Sequence, residues 1–458
     1  MVDSAGDDLR RTDRGPARVN DDPPASGVAG AGGVRRLVEA VAPARLGRPF
    51  RWLLGSSWTS NLGDGIALAA GPLLVASQTR APFLVALAVV LQRLPWLLFG
   101  LLAGVVADRF DRRRTMVAAH LTRAAVLAGL GATIVLDRVD TAVVLTALFL
   151  LGTAETFADT TAKTLLPMVV EGRDLGLGNA RLMAGFVTVN QFAGPPLGAA
   201  LFAAGAVVPF AVQGGCVVAS AVMVSRLLLP AHGSEGASSP VRREIADGFR
   251  WLWGNAAVRT LTLTIVSFNV TFGTAWSVLV LYAIERLDAG EVGFGLLTTA
   301  SAVGGMVGIV VYGWLTARVS LGNLLRGGLI LETLTWLAFA STSTTWMALV
   351  VMVVFGAHAF VWGTTATSVR QRAVPTALQG RVTSIYLIGV EGGMVVGSLA
   401  GGVIAGAWGV TAPFWWAFVG SGLLVGSLWS QLAHVAHADD LVLAAEGTAA
   451  VPVGEERG

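Results

Sequence analysis

The chain alternates long apolar runs with short polar breaks. Twelve runs are long enough to cross a bilayer, since a helix rises about 1.5 Å per residue and the hydrocarbon core is roughly 30 Å thick. They cover residues 52–76, 82–107, 115–136, 140–163, 179–203, 206–229, 259–283, 291–316, 323–341, 345–368, 381–405 and 411–433. Unpaired backbone is too costly in hydrocarbon, so every run is expected to be helical. The pattern predicts an all-α integral membrane protein with twelve transmembrane helices.

The polar stretches divide the chain. Residues 1–48 mix Gly, Pro, Asp and Arg, and no short apolar run follows a basic start. They are expected to form a disordered tail, not a cleaved signal peptide. The longest internal break, 231–257, separates six runs from six. Its first part, His232 to Pro240, reads as a flexible linker. Its second part places Ile245, Phe249, Leu252 and Trp253 on one helical face, away from Arg242, Arg243 and Arg250. That fits an interfacial helix, with a solvated linker helix as the alternative. The expected organisation is a six-helix bundle over 49–230, a linker with an interfacial helix over 231–257, a second six-helix bundle over 258–434, and a tail over 435–458.

Composition agrees with this class. Of 458 residues, 54% are apolar and 13% charged, whereas soluble domains average about 25% charged residues. The mean hydropathy is +0.67. One cysteine, Cys216, excludes an intrachain disulfide framework. One lysine, Lys163, stands against thirty-one arginines. With the N-terminus inside, twenty-seven Arg and Lys fall on the inner side and three (Arg80, Arg138 and Arg286) on the outer side, leaving Arg93 and Arg123 in the membrane. A wrong helix count would scramble this asymmetry. It predicts a cytoplasmic-membrane protein with both termini in the cytoplasm.

Residues 104–114 carry the most specific motif, Gly104-x-x-x-Asp108-Arg109-x-x-Arg112-Arg113. This basic turn between the second and third runs resembles the signature loop of the major facilitator superfamily. Gly313 to Arg318 echoes it 209 residues later, with Ala317 in place of the acid, and Pro167 with Arg181 is echoed by Pro375 with Arg381. Such weak internal symmetry fits two pseudo-symmetric six-helix halves. Three further stretches resemble the bacterial exporter branch that includes the enterobactin exporter and multidrug and macrolide efflux proteins. They are Ser60-Asn-Leu-Gly-Asp-Gly65, Leu165 to Leu175 with Asn179, and Gly194-Pro195-Pro196-Leu197-Gly198. Gly194, Pro195 and Gly198 also resemble an antiporter motif of drug–proton exchangers, with Ala199 where a second Gly is common.

The resemblance implies roles for the loop. Asp108 would meet the positive N-terminal end of the eleventh helix, near Gln379 to Arg381. Arg112 would pair with Asp159. Gly104, Asp108, Arg109, Arg112, Arg113 and Asp159 would then gate the inner side; a plain basic turn is the other reading. Asp111 stands where the family usually has Gly.

An ionisable group at the bilayer centre costs ~2.5–3.5 kcal/mol on insertion scales, so each should face protein or a wet cavity. Asp64 and Arg93 match in depth and are expected to pair, or to let Asp64 exchange a proton beside Arg93. Arg123 and Glu155 also match, Glu155 serving as a substrate or proton site or as the counter-ion of Arg123. Glu391 is a further proton or substrate candidate, and Glu332 is expected to be locally paired. Asn190, Gln191, Asn269, Trp276 and Trp362 are cavity candidates, with interhelical hydrogen bonding or packing as the alternative for each. His358 is expected to have a packing role.

No phosphate-loop, zinc-protease or nucleophile-elbow pattern occurs, so no cofactor or metal is called for and an enzyme is not expected. Nothing suits nucleic acid. The resemblance implies a secondary active transporter working by alternating access, exporting an amphiphilic small molecule (a drug, antibiotic or siderophore) against proton influx. Its partners would be that substrate, protons and membrane lipid, and it would act as a monomer. An uptake symporter or uniporter of the same fold remains open, as does a non-transporting membrane sensor or assembly partner.

Overall fold

A computed structural model describes residues 43–227, 241–375 and 378–449, and in them all the regular structure is helical. The first helices are α1 (Gly47–Gln78), α2 (Pro82–Arg109), α3 (Arg112–Val135) and α4 (Thr141–Val169). Then α5 (Leu175–Gly185), a π-helical stretch (Phe186–Ala193) and α6 (Gly194–Ala204) run end to end, followed by α7 (Val208–Ser225). After the polar break come α8 (Val241–Gly254) and α9 (Ala256–Trp276), the latter continued by short turns to Arg286. The chain goes on through α10 (Gly290–Thr316), α11 (Leu321–Ser341), α12 (Thr345–Ala373), α13 (Gln379–Trp408) and α14 (Ala412–Ala449).

Ten stretches among the described residues are long and apolar enough to cross a membrane. The expected twelve included two more long helical stretches that do not reach that measure. In α1, Arg48, Arg51, Ser56, Ser57, Ser60, Asn61 and Asp64 dilute the apolar character. The Leu175–Ala204 stretch is divided by its π-turn. Helix ends also shift, since α1 starts at Gly47 and α14 continues to Ala449.

The polar breaks work as helix starts. An N-cap oxygen satisfies backbone N–H groups that have no partner inside the helix. Asp111 accepts from Arg114 N at 2.7 Å, Asp140 from Val143 N at 2.8 Å and Asn255 from Val258 N at 3.0 Å. Asp111, the departure from the family loop, is therefore the cap that begins α3.

The helices pack through small residues and buried aromatics. Ser56 Oγ donates to Ser220 O and Ser220 Oγ to Ser56 O, which stitches α1 to α7. Phe339 and Phe414 stack, Tyr282 packs against both with its ring edge-on to Phe339, and its hydroxyl donates to Phe339 O at 2.9 Å. In α8, Leu252 is buried against Val258, Val374 and Val382. Phe249 and Trp253 of the same helix are about half exposed and stack at 5.5 Å. The side chains of Arg242, Arg243 and Ile245 lie outside the described residues.

Two crossings close the arginine-poor end, where Arg80, Arg138 and Arg286 lie. Between α2 and α13 the backbones nearly touch at Gly402, where a Cβ would lie 2.8 Å from Ala86 Cβ and 2.9 Å from Phe83 Cα. Between α6 and α10, Gly295 faces Ala199. Gly402→Leu should therefore force the first crossing apart. Spin labels on Arg80→Cys and Gly406→Cys, with Cys216→Ser, should report a longer distance than in the parent. An unchanged distance would show that the closure does not depend on this crossing.

Candidate functional site

A central cavity has two lobes that meet at Leu68, Gln92, Arg93 and Gln191. The polar lobe, about 340 Å³, holds Asp64, Arg93, Glu155, Asp159, Lys163 and Glu391. The apolar lobe, about 410 Å³, is walled by Phe192, Phe272, Trp276, Phe294, Phe355 and Phe360. Phe272 stacks between Trp276 at 5.2 Å and Phe355 at 5.7 Å. Asp159 and Lys163, one and two turns beyond Glu155 on α4, are solvent-exposed. The polar lobe thus reaches water toward the arginine-rich end.

The two mid-depth arginines are both paired, with partners that differ from the expected ones, and Glu155 is left unpaired among the described residues. Asp64 pairs with Arg123, not Arg93, and both are buried. Ser60 Oγ donates to Asp64 at 3.2 Å and accepts from Arg123 Nη1 at 3.1 Å, completing a triad between α1 and α3. Arg93 points to the other side and meets Glu391 of α13 at 2.9 Å. Glu155, offered as a counter-ion for Arg123, instead lines the polar lobe, and no basic group of the described residues lies within 4 Å of it. Equal depth in two helices sets only height; the rotation of each helix decides the partner.

The loop residues differ in the same way. Arg112 donates to Ala107 O at 3.2 Å and to Met168 Sδ at 2.8 Å, while Asp159 stands in the cavity. Arg113 donates to Leu227 O at 3.2 Å. Arg109 is exposed, Gly104 has open space beside it, and the Asp108 side chain lies outside the described residues.

Of the cavity candidates, Asn190, Gln191 and Trp276 line the lobes. Gln191 Nε2 donates to Asn190 Oδ1 at 2.8 Å. These neighbours lie in the π-turn, where Gly194 N bonds Val189 O. Pro195 and Pro196 have no N–H to give the preceding turn, so the ladder slips there. Gly194 and Gly198 let this segment press against Gly65 and Ile66 of α1. Trp362 lines neither lobe, because it packs with Leu261, Phe268, Leu325 and Leu329. Asn269 turns its amide to Ile265 O in its own helix, at 2.7 Å. Glu332 lies 3.9 Å from His358, away from the cavity. The sequence reading missed Gln92, Gln213, Lys163 and Phe272. Polar residues within apolar runs, and Lys163 four residues after Asp159, were the available signals for the first three.

A model of the transmembrane secretion effector family matches residues 38–454. The chain belongs to this family of the major facilitator superfamily. This transporter is similar to the multidrug efflux pump Tap of Mycolicibacterium fortuitum, at 26% identity over 387 residues, covering 80% of this chain and 91% of that one. It is similar to Tap of Mycobacterium tuberculosis at 25% identity, over 59% of this chain and 66% of the relative. Among solved structures, an alanine variant of the nucleoside transporter NupG aligns with a TM-score of 0.68 at 11% identity, over 84% of this chain and 100% of that chain. A bacterial homologue of the iron transporter ferroportin, in the inward-facing state, aligns at 0.66 and 16% identity, over 84% and 98%. These likenesses are in the fold. The transporter is a multi-pass membrane protein.

The buried triad sets a stability prediction. Asp64→Ala leaves the Arg123 charge buried and unanswered, which should cost about 3–5 kcal/mol. The double variant Asp64→Ala, Arg123→Met should recover most of that loss. Thermal unfolding in detergent measures both; equal midpoints for the single and double variants would contradict the assignment.

Proposed function

We propose that the transporter is a proton-coupled exporter of the cytoplasmic membrane that moves amphiphilic small molecules by alternating access. The observation that carries this reading is the cavity itself. A carboxylate-rich lobe joins an aromatic lobe within one space, so a molecule with a polar head and an apolar body finds both ends matched. The efflux-pump relatives support the export direction. In this reading twelve helices cross the membrane as two six-helix halves. The arginine-rich face and both termini are cytoplasmic, and the state described is closed on the outside.

Asp64, Glu155 and Glu391 are the proton candidates. Asp64 borders the lobe but is buried and paired with Arg123, Glu391 is held by Arg93, and Glu155 lines the cavity with no basic partner within 4 Å among the described residues. Glu155 is therefore the group best placed to exchange a proton with water that fills the lobe. The loop around Asp108 acts on the conformational equilibrium, meeting α13 when the cytoplasmic side closes.

An uptake symporter or uniporter of the same fold is the alternative, and one experiment separates the two. Protein in liposomes with an imposed pH gradient is given hydrophobic cations, macrolides and tetracyclines while internal pH is followed. Export predicts proton movement opposite to a transported compound, lost in Glu155→Gln. Proton movement in the same direction as the compound would establish symport. Compound movement without protons would establish a uniporter.

A further inference from the structure

The Arg93–Glu391 pair joins α2 to α13, the same helices that meet at Phe83, Ala86 and Gly402. Seven to ten residues on α2 and eleven on α13 separate the pair from that crossing, roughly 10–16 Å along the helices. The pair is thus a second fastening on one helix pair, placed inside the cavity. Its side chains retain 34% and 23% of their exposure, so a ligand can reach them. Arg93 also lines both lobes, at the point where they join.

The charge around the pair is unequal. Asp64, Glu155, Asp159 and Glu391 line the polar lobe against Arg93 and Lys163, and Asp64 is already answered by Arg123 behind it. With every group ionised, one negative charge is uncompensated. A cation entering the lobe is attracted and an anion of the same shape is repelled. The adjoining wall of Phe272, Trp276 and Phe355 accepts an apolar body and favours positive charge at its ring faces.

We propose that the cavity takes a lipophilic organic cation, and that this cation displaces Arg93 from Glu391 and so releases α2 from α13. Glu391 receives the ligand charge, and Arg93 turns to Glu155 in the same lobe. The arginine-poor end is then held by packing alone and opens. This rests on the reading of the chain as a transporter of amphiphilic molecules, and it adds the sign of the charge and the residues that answer it.

The test uses the full chain in lipid nanodiscs with spin labels on Arg80→Cys and Gly406→Cys, and Cys216→Ser. Tetraphenylphosphonium is the probe and tetraphenylborate its matched anion. Tetraphenylphosphonium should shift part of the population to a longer distance, and tetraphenylborate should not. Glu391→Gln should show the longer distance without ligand and bind the cation about tenfold more weakly, as loss of one charged partner implies. The exchange Arg93→Glu with Glu391→Arg should restore the short distance, which separates loss of the latch from loss of folding. A short distance kept in Glu391→Gln, no shift with the cation, or a shift with the anion would each overturn the proposal. Substrate-driven proton flux that survives in Glu391→Gln would overturn the latch and leave the exporter reading standing. A cation-driven shift without any proton flux would do the reverse.

Discussion

Arg123 is fully buried, and the arrangement of the first helices follows from how its charge is answered. A guanidinium inside the membrane requires a counter-charge and hydrogen-bond acceptors at fixed positions. Asp64 and Ser60 supply them from one face of α1, which fixes the rotation of α1 against α3. The same helix offers Ser56 to α7 and Gly65 to the π-turn before α6. Because Asp64 is spent on Arg123, Arg93 extends across to α13, and Glu155 is left to the cavity. One pairing therefore decides which charges hold the fold together and which remain for chemistry.

The cavity combines two demands that usually conflict. Charges near mid-membrane need water or partners, while an apolar wall excludes water. Here the two are separated by position. The polar lobe communicates with water past Asp159 and Lys163, and the aromatic lobe lies under the closed crossings of α2 with α13 and α6 with α10. A π-turn supplies the amides at the junction. Because backbone bonding slips by one residue there, neighbouring Asn190 and Gln191 are both turned toward the cavity.

Much of the fold was legible in the sequence because the bilayer imposes a coarse code. Run length, the placement of Arg and the Gly104–Arg113 loop mark helices and family without tertiary information, while the caps at Asp111 and Asp140 emerged only from the structure. The mid-depth charges were legible as a set for the same reason. Their partners were not, since depth follows from residue count but azimuth follows from packing. Arg93 and Arg123 each exchanged the expected partner for another at similar height. Trp362 and Asn269 were lost to the cavity by the same ambiguity, one to a buried cluster and the other to its own helix. The π-turn was not read from Pro195 and Pro196, because the slip before them depends on how the freed carbonyls are satisfied.

The central claim is that one cavity serves both faces of the membrane in turn. Ser301 lines the aromatic lobe beside the closed end, and Ser301→Cys is a small change. With Cys216→Ser, the most direct measurement is labelling of that single thiol by a membrane-impermeant maleimide in oriented vesicles. The account predicts labelling from the arginine-rich face alone in the resting protein. It predicts labelling from the opposite face once substrate and a proton gradient are supplied. Reactivity from both faces together, or none from the opposite face under any gradient, would contradict it.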